Sequence, residues 1–172
     1  MSVLSIMSTS APYHLMAWST LFGSTMYQSF YVGIMSFKAL PRQEFSNLQR
    51  KLFPPFFSMQ AAVPLFLLLT TPASVKGVNT VVVTLLTASL TGLINRTIVT
   101  PWTVKLMTAR RVQEKKEGKA YYEAGASDHM KKLNKEFGMA HGISTLLNFG
   151  TLIATAIYGC VLSNAMVRGF KL

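Results

Sequence analysis

Charged residues are missing from four long segments of this chain, and that absence limits the possible folds more than any motif does. No Asp, Glu, Lys or Arg occurs in residues 1–37, 52–75, 77–95 or 137–167. A hydrocarbon core of about 30 Å needs about 20 residues of helix at about 1.5 Å per residue. The four segments therefore predict an all-α integral membrane protein with four transmembrane helices.

We predict that all 172 residues form one transmembrane four-helix bundle, because four spans leave no length for a separate soluble domain. The predicted spans are about 13–38, 52–71, 77–100 and 137–165. A polar connection, 103–136, joins the last two spans. Within it, residues 104–117 place apolar positions among basic ones with few helix breakers. This pattern predicts a short amphipathic helix on the membrane surface, between helices three and four.

Local signals predict where these helices begin and end. Helix three is expected to end near Pro101, since proline removes a backbone donor. Gly118 is expected to stop the amphipathic helix, because glycine tolerates the left-handed conformation that ends many helices. Ser127 or Asp128 is a suitable N-cap for a helix that continues into the last span.

Most of the charges that remain are basic and lie on two connections. Thirteen of the 17 Lys and Arg residues lie between the first two spans or the last two, which share one side of the membrane: Lys38, Arg42, Arg50, Lys51, Lys105, Arg110, Arg111, Lys115, Lys116, Lys119, Lys131, Lys132 and Lys135. The opposite side has only Lys76, Arg168 and Lys171. The positive-inside rule then predicts that the basic side faces the cytosol or the mitochondrial matrix, and that both termini face away. A secretory-pathway membrane is favoured, and the mitochondrial inner membrane stays open as an alternative.

The net charge of +11 predicts contact with lipid, not with nucleic acid, because the basic residues flank membrane spans. Anionic lipid head groups on the basic side are the expected partners of Lys105, Arg110 and Arg111. All six acidic residues lie in the polar connections. No carboxylate is therefore available inside the spans as an acid or base, and we expect no enzymatic activity.

Polar residues inside the spans follow helical spacing. They form one stripe on helix three and one on helix four, and a glutamine on each of the first two helices adds to them: Thr84, Thr87, Thr91, Asn95, His141, Ser144, Asn148, Thr151, Thr155, Gln28 and Gln60. Lipid offers no hydrogen bonds, so we expect these stripes to face inward. Two interpretations stay open: the stripes bond the helices together, or they line a path for a small solute or ion.

Apart from Lys38, at the end of the first predicted span, Arg96 is the only charged residue inside a predicted span. We expect Arg96 to reach the basic interface, to form an ion pair with Glu136, which enters helix four at the same depth, or to contact His141 or Asn148. His14 and His141 raise the possibility of haem or copper binding, but the topology places them at opposite faces of the membrane. We therefore predict no bound cofactor or metal. Cys160 is expected to be a small packing residue in the last span.

Several short strings, spread in order along nearly the whole chain, can be compared with known families. They are Tyr13-His14, Leu40-Pro41-Arg42 with Phe45, Leu48 and Gln49, Lys51-Leu52-Phe53-Pro54, Asn95-Arg96 with Pro101, and His141-Gly142 with Ser144 and Asn148. Together they resemble the transmembrane protein 205 family, a group also known by a domain of unknown function. The resemblance implies a four-helix membrane protein with no established catalytic activity, and some members are associated with drug resistance and secretory membranes.

The function that the residues favour is that of a partner or accessory subunit of another membrane protein, or of a homo-oligomer. The pairs Ser19 with Gly23 and Ser29 with Gly33 allow helices to approach closely, which supports such lateral contacts. The competing hypothesis is a transporter or channel-like protein for a small solute or metal ion. Haem or copper chemistry is the third hypothesis.

Overall fold

A computed structural model describes residues 3–73, 75 and 77–169, and the regular structure in this part of the chain is entirely helical. The helices are α1 (Val3–Met7), α2 (Ala11–Tyr27), α3 (Gly33–Ala39), α4 (Arg42–Leu69), α5 (Val78–Ile94), α6 (Thr100–Glu117) and α7 (Asp128–Gly169). Two π-helical segments, Gln28–Val32 and Asn95–Val99, connect α2 to α3 and α5 to α6 without interrupting the helix. The chain therefore runs as four long helical rods.

Three of these rods are long and apolar enough to cross a membrane: Arg42–Leu69, Val78–Glu117 and Asp128–Val167. They confirm the prediction of an all-helical membrane protein. The rod over residues 11–39 is also long enough to cross a membrane. It is not apolar enough to count as a candidate span, because Ser, Thr, Tyr and Gln side chains lower its mean hydropathy. The fourth crossing stays a prediction.

The second rod begins ten residues earlier than the sequence predicts. Helix α4 starts at Arg42, and not near residue 52, so Pro54 and Pro55 lie in its interior. The residues before this proline pair contain no helix breaker, and Phe45 packs edge-on against Phe37 of α3 with ring centres 5.4 Å apart. This contact gives the polar start of α4 a tertiary partner, which sequence spacing does not reveal.

The predicted amphipathic surface helix is instead a continuation of the third rod. Helix α6 follows α5 through the π-helical segment Asn95–Val99, with Pro101 in the first turn of α6. The first turn after a changed hydrogen-bond register accepts a residue without an N–H donor. Leu106 of α6 packs with Leu133 and Ala140 of α7. The first half of the apolar side of α6 therefore lies against protein, whereas Val112 is exposed.

Two predicted helix ends are confirmed. Gly118 follows α6 with a φ of +65°, a left-handed conformation that glycine adopts without steric cost. At the start of α7, the Ser127 hydroxyl accepts the Met130 amide at 3.1 Å, which satisfies one of the free N–H groups of the first turn.

The first and third rods both pack against the second and fourth rods. Helix α2 packs on α4 and α7, and α5 packs on the same two helices. A buried apolar cluster lies where they meet, and its members are Leu21, Leu67, Val75, Val81, Leu85, Tyr158 and Leu162. This arrangement brings polar residues from distant parts of the chain to the same level along the helix axes, inside the bundle.

The topology prediction also uses three basic residues of the opposite side. Lys76 and Lys171 lie outside the described residues, as does the side chain of Arg168. The predicted orientation of the termini is therefore not tested by the structure.

Candidate functional site

Polar side chains from α2, α4, α5, α7 and the adjoining π-helical segments meet inside the protein. We call them the polar layer: Thr25, Ser29, Gln60, Thr91, Asn95, Asn148 and Thr151. Gln60 is its centre, since its amide nitrogen donates to Asn148 Oδ1 at 2.8 Å and to Thr25 Oγ1 at 3.2 Å. The Asn148 amide donates in turn to the Ser29 hydroxyl at 2.7 Å. One hydrogen-bonded chain therefore connects three rods.

The other half of the polar layer joins α5 to α7. The hydroxyls of Thr91 and Thr151 lie 2.7 Å apart and share a hydrogen bond. One turn further along, the Asn95 amide donates to the Ser144 carbonyl at 3.2 Å. Asn95 opens a π-helical segment, and Gln28 opens the other one. Both irregularities in the helices therefore lie where a helix presents an amide side chain to the interior.

A close helix contact positions Gln60 in this layer. A Cβ atom on Gly92 of α5 would lie 2.7 Å from the backbone nitrogen of Ala61, so only glycine fits without movement. The Ser89 hydroxyl, one turn earlier, donates to the Ala61 carbonyl at 2.7 Å. Small residues let the two backbones approach, and the hydroxyl adds an interhelical bond.

Five members of the two predicted stripes do not join the layer through their side chains. Ser144 contributes only its backbone carbonyl, which accepts from Asn95. Thr84 and Thr155 are buried, but their hydroxyls donate only to carbonyls of their own helices. Thr87 and His141 are exposed. Each follows or precedes a fully buried alanine by one residue, and a step of about 100° turns it away from the interior.

Three amide atoms in or beside the polar layer have no protein partner in the described part of the chain. They are Gln28 Nε2, Gln60 Oε1 and Asn95 Oδ1. Gln60 and Asn95 are completely buried, so each keeps an unused acceptor next to the other polar groups. No Asp or Glu belongs to the polar layer, and its chemistry is therefore that of neutral hydrogen bonding.

The ion pair between Arg96 and Glu136 is not formed. The Arg96 Nε donates to the Ser58 hydroxyl of α4 at 3.2 Å. Arg96 therefore lies on the side of its rod that faces α4, whereas Glu136 belongs to α7. The one salt bridge within the described ranges joins Lys131 to Asp128.

Sequence reasoning missed a second cluster, at the far end of the molecule. His14 is 1% exposed, its Nδ1 lies 2.8 Å from Thr70 Oγ1, and its Nε2 lies 2.5 Å from the Tyr158 hydroxyl. Because the Thr70 hydroxyl donates to the Phe66 carbonyl, it accepts from Nδ1, and the Tyr158 hydroxyl then donates to Nε2. Sequence separations of 56 and 144 residues left no signal for this contact.

Trp18 extends the same end of the interior. Its indole nitrogen donates to the Thr155 carbonyl at 3.0 Å, and its ring occupies the space that a Cβ on Gly159 would fill. The Trp18 ring and Gly159 are therefore complementary in shape, as Gly92 and the backbone of α4 are.

The histidines give little support for haem or copper. Both ring nitrogens of His14 are engaged in hydrogen bonds, so a metal would have to displace one of them. His141 is exposed and stacks on Phe137. Among residues 3–73, 75 and 77–169, no three His, Cys, Asp or Glu side chains come together. Cys160 is exposed, and the packing role expected for it is not observed.

The basic end contains one predicted lipid contact that is wrong. Arg110 is 7% exposed, and its guanidinium lies 3.6 Å from the ring centre of Tyr121 and 4.4 Å from that of Phe137. Cation–π contacts between two rings keep it inside the protein. Lys105 is exposed, and Arg111 donates to Asn47 at 3.0 Å.

A carboxylate ties the end of α6 to the start of α7. Glu117 accepts the Ser127 hydroxyl at 2.5 Å and the Gln113 amide at 2.6 Å. These hydrogen bonds lower the pKa of Glu117 below its usual value, because they favour the ionised form. The bond from Ser127 has the largest effect. The polar connection is therefore held as a folded turn.

Comparison with known proteins gives a family but no activity. The chain is 27% identical, over 98% of each sequence, to "Xanthocillin biosynthesis cluster protein D" of Aspergillus fumigatus. No solved structure matches. Residues 16–112 match the domain of unknown function DUF4149, and this match covers the second rod, the polar layer's α5 residues and most of α6. A link to the transmembrane protein 205 family is not among these findings. The match spans more than half of the chain, and the protein is a member of the DUF4149 family of domains of unknown function.

Proposed function

We propose that this protein is a non-enzymatic four-helix membrane bundle that acts as an accessory subunit of another membrane protein. The internal hydrogen bonds support the first half of this proposal. Side chains of the polar layer bond to one another across the rods, which accounts for six of the polar residues in the spans. The layer stabilises the bundle and needs no acid, base or nucleophile.

The outer face of α2 supports the second half, and it is the observation that carries the proposal. Ser19, Thr20 and Gly23 lie together on this face and are exposed. In the described part of the chain, the hydroxyls of Ser19 and Thr20 donate to no other group. Lipid offers no hydrogen-bond partner for them, whereas a second helix would provide both partners and close packing against Gly23.

Flanking side chains enlarge this face. Met16 is 66% exposed and Tyr27 is 58% exposed, so a polar centre lies between two large apolar groups. The low mean hydropathy of the 11–39 rod also supports a protein contact on this face, because a helix covered by protein does not need to be apolar throughout. A membrane-protein partner, or a second copy of this chain, therefore suits this face better than lipid alone.

The named relative gives no catalytic role that would compete with this proposal. Its name places it in a biosynthesis cluster and states no reaction.

We place the basic connections on the cytosolic or matrix side, with both termini on the other side and a secretory-pathway membrane favoured. Reporter tags on residues 118–127 and on the N-terminus test this orientation by their accessibility in sealed vesicles.

A complex that survives mild detergent would test the accessory role. Native gels and mass measurement should show a defined stoichiometric complex for the wild-type protein. Gly23→Leu should release the protomer, because the side chain blocks the contact face. Gly142→Leu is the matched control: Gly142 is an exposed helical glycine with no atom within 4 Å of its Cβ position.

Two results would contradict the proposal. The first is a wild-type protein that runs as a solitary protomer in every mild detergent and in nanodiscs. The second is equal loss of the complex in both glycine variants, because the contact would then not depend on the α2 face. A complex that contains only copies of this chain would identify the partner as the protein itself.

A second candidate function is passage of a small polar solute or ion. The unused oxygens of Gln60 and Asn95 favour it, since buried amide oxygens are suitable contacts for water or a hydrated ion. Asn148→Leu in reconstituted vesicles should abolish flux if this function is correct. Absence of flux in the wild-type protein would remove it, and metal analysis with a visible spectrum of the same sample would test haem and copper.

A further inference from the structure

A cationic cleft lies at the basic end of the molecule. It forms between the first turn of α4 and the end of α6, and its volume is about 320 Å³. Gln43 lines it from α4, and Arg111, Glu114, Lys115 and Lys119 line it from α6 and the turn that follows. Three cations against one carboxylate give this cleft a net positive charge.

Arg111 is held in position by neutral groups. Its Nη2 donates to Asn47 Oδ1 at 3.0 Å. The Gln43 amide oxygen, oriented toward the guanidinium, accepts from Nε at 3.2 Å and from Nη2 at 2.9 Å. These neutral amides occupy Nε and Nη2 without cancelling the charge, so Arg111 is held in place for an anion that reaches its remaining nitrogen, Nη1.

The nearby carboxylates are engaged by the backbone and by hydroxyls instead of these cations. Glu114 accepts the Tyr121 amide at 2.9 Å, and Glu117 accepts the Ser127 hydroxyl. The one salt bridge in the described part of the chain lies at the start of α7. The cations of the cleft therefore form no salt bridge within the described residues, although the charge of Lys119 acts on Glu117.

The height of the cleft indicates what kind of anion reaches it. Arg96 contacts Ser58, and Arg111 reaches Gln43, so the two helices run antiparallel in matched register. Gln43 precedes Lys51 by eight residues, which places it about 12 Å further from the hydrocarbon. This step rests on the membrane placement proposed above. The head-group layer is about 5–8 Å thick on each side, so the cleft lies at or just above it.

We propose that this cleft binds a phosphate monoester, carried either on an extended lipid head group or on a soluble compound. Arg111 supplies its charge and the N–H groups of Nη1 for the phosphate oxygens, and Lys115 and Lys119 supply further charge. A phosphate monoester suits the site better than a phosphodiester, because it has more negative charge and three free oxygens. The phosphodiester of an ordinary phospholipid also lies below the cleft.

The test measures binding to the purified full chain in phosphatidylcholine nanodiscs. One arm adds a monophosphorylated phosphatidylinositol to the bilayer, a second adds phosphatidylserine at equal net charge, and a third adds inorganic phosphate or a soluble inositol phosphate. We expect Lys115→Gln and Arg111→Gln to weaken binding of the phosphorylated probe about tenfold, as for the loss of a charge-assisted hydrogen bond. Lys116→Gln, an exposed neighbour outside the cleft, should change it less than about twofold.

Each outcome decides one question. Binding of the phosphorylated lipid alone supports a head-group site, and equal binding of the soluble probe supports a soluble ligand. Equal binding of phosphatidylserine, or equal weakening by Lys115→Gln and Lys116→Gln, overturns the proposal in favour of general surface charge. No binding by folded wild-type protein also overturns it. Thermal unfolding checks each variant, and Lys115→Gln keeps the test valid if Arg111→Gln unfolds. No partner protein is needed, so this failure is separate from failure of the accessory role.

Discussion

Replacement of Gly92 by alanine should destabilise the fold, because the added methyl group meets the backbone of a neighbouring helix. The new Cβ would lie 2.7–2.8 Å from atoms of Gln60 and Ala61, two of which belong to the backbone and cannot rotate away. Overpacking of this kind costs about 1–3 kcal/mol. Separation of α4 from α5 also lengthens the Ser89–Ala61 hydrogen bond, which is worth about 0.6 kcal/mol in a membrane protein.

Alanine also improves helix propensity by about 1 kcal/mol, so a matched control is needed. Gly142→Ala gives the same gain without a contact, because no atom lies within 4 Å of its Cβ position. The free energies of unfolding of the two variants should therefore differ by about 2–3 kcal/mol. For a chain of this size that difference corresponds to about 5–10 °C in Tm. Tryptophan fluorescence during heating in detergent measures it, and two Tm values within about 2 °C would refute the close contact.

Three further predictions concern other contacts. Gln60→Leu should lower the free energy of unfolding by about 1 kcal/mol, because two interhelical bonds are lost and Asn148 keeps an unpaired oxygen; the same melting assay measures it. Tyr158→Phe should cost about 1–3 kcal/mol, since the buried imidazole of α2 loses its donor, and an unchanged Tm would contradict that bond. Glu117 has a lowered pKa, so its contribution to stability is present above its unfolded pKa and is lost as the pH falls through its folded pKa. Proteolysis of residues 118–126 should therefore increase on acidification in the wild-type protein. The Glu117→Gln variant should be cleaved readily at every pH. Equal pH profiles for the two proteins would show that the contact between Glu117 and Ser127 does not hold this segment.

Helix ends that depend on one residue could be predicted from the sequence. Gly118 ends α6 because only glycine adopts its left-handed conformation without strain, and Ser127 caps α7 because its hydroxyl reaches an amide three residues later. The inward position of Thr91, Asn95, Asn148 and Thr151 also followed from helical spacing and the lack of hydrogen bonds in lipid. These are local rules, or rules of the surrounding solvent.

Other expectations failed because they depended on which helix lies beside which. Arg96 and Glu136 share a depth but lie on helix faces that do not meet, and the arginine bonds to Ser58. Arg110 was assigned to lipid, yet Tyr121 and Phe137 enclose it, since α6 packs on α7. No spacing rule contains this information.

The sequence by itself determined that the chain is helical, that most of it suits a membrane, and that its basic residues fall on two connections. These properties are set by the run length of uncharged residues and by helix geometry, which do not depend on neighbours. The tertiary structure alone decided that Gln60 joins Asn148, that His14 joins Tyr158, and that a cleft of net positive charge surrounds Arg111. Those contacts arise where rods distant in sequence pack together, and close packing at glycines such as Gly92 fixes their register.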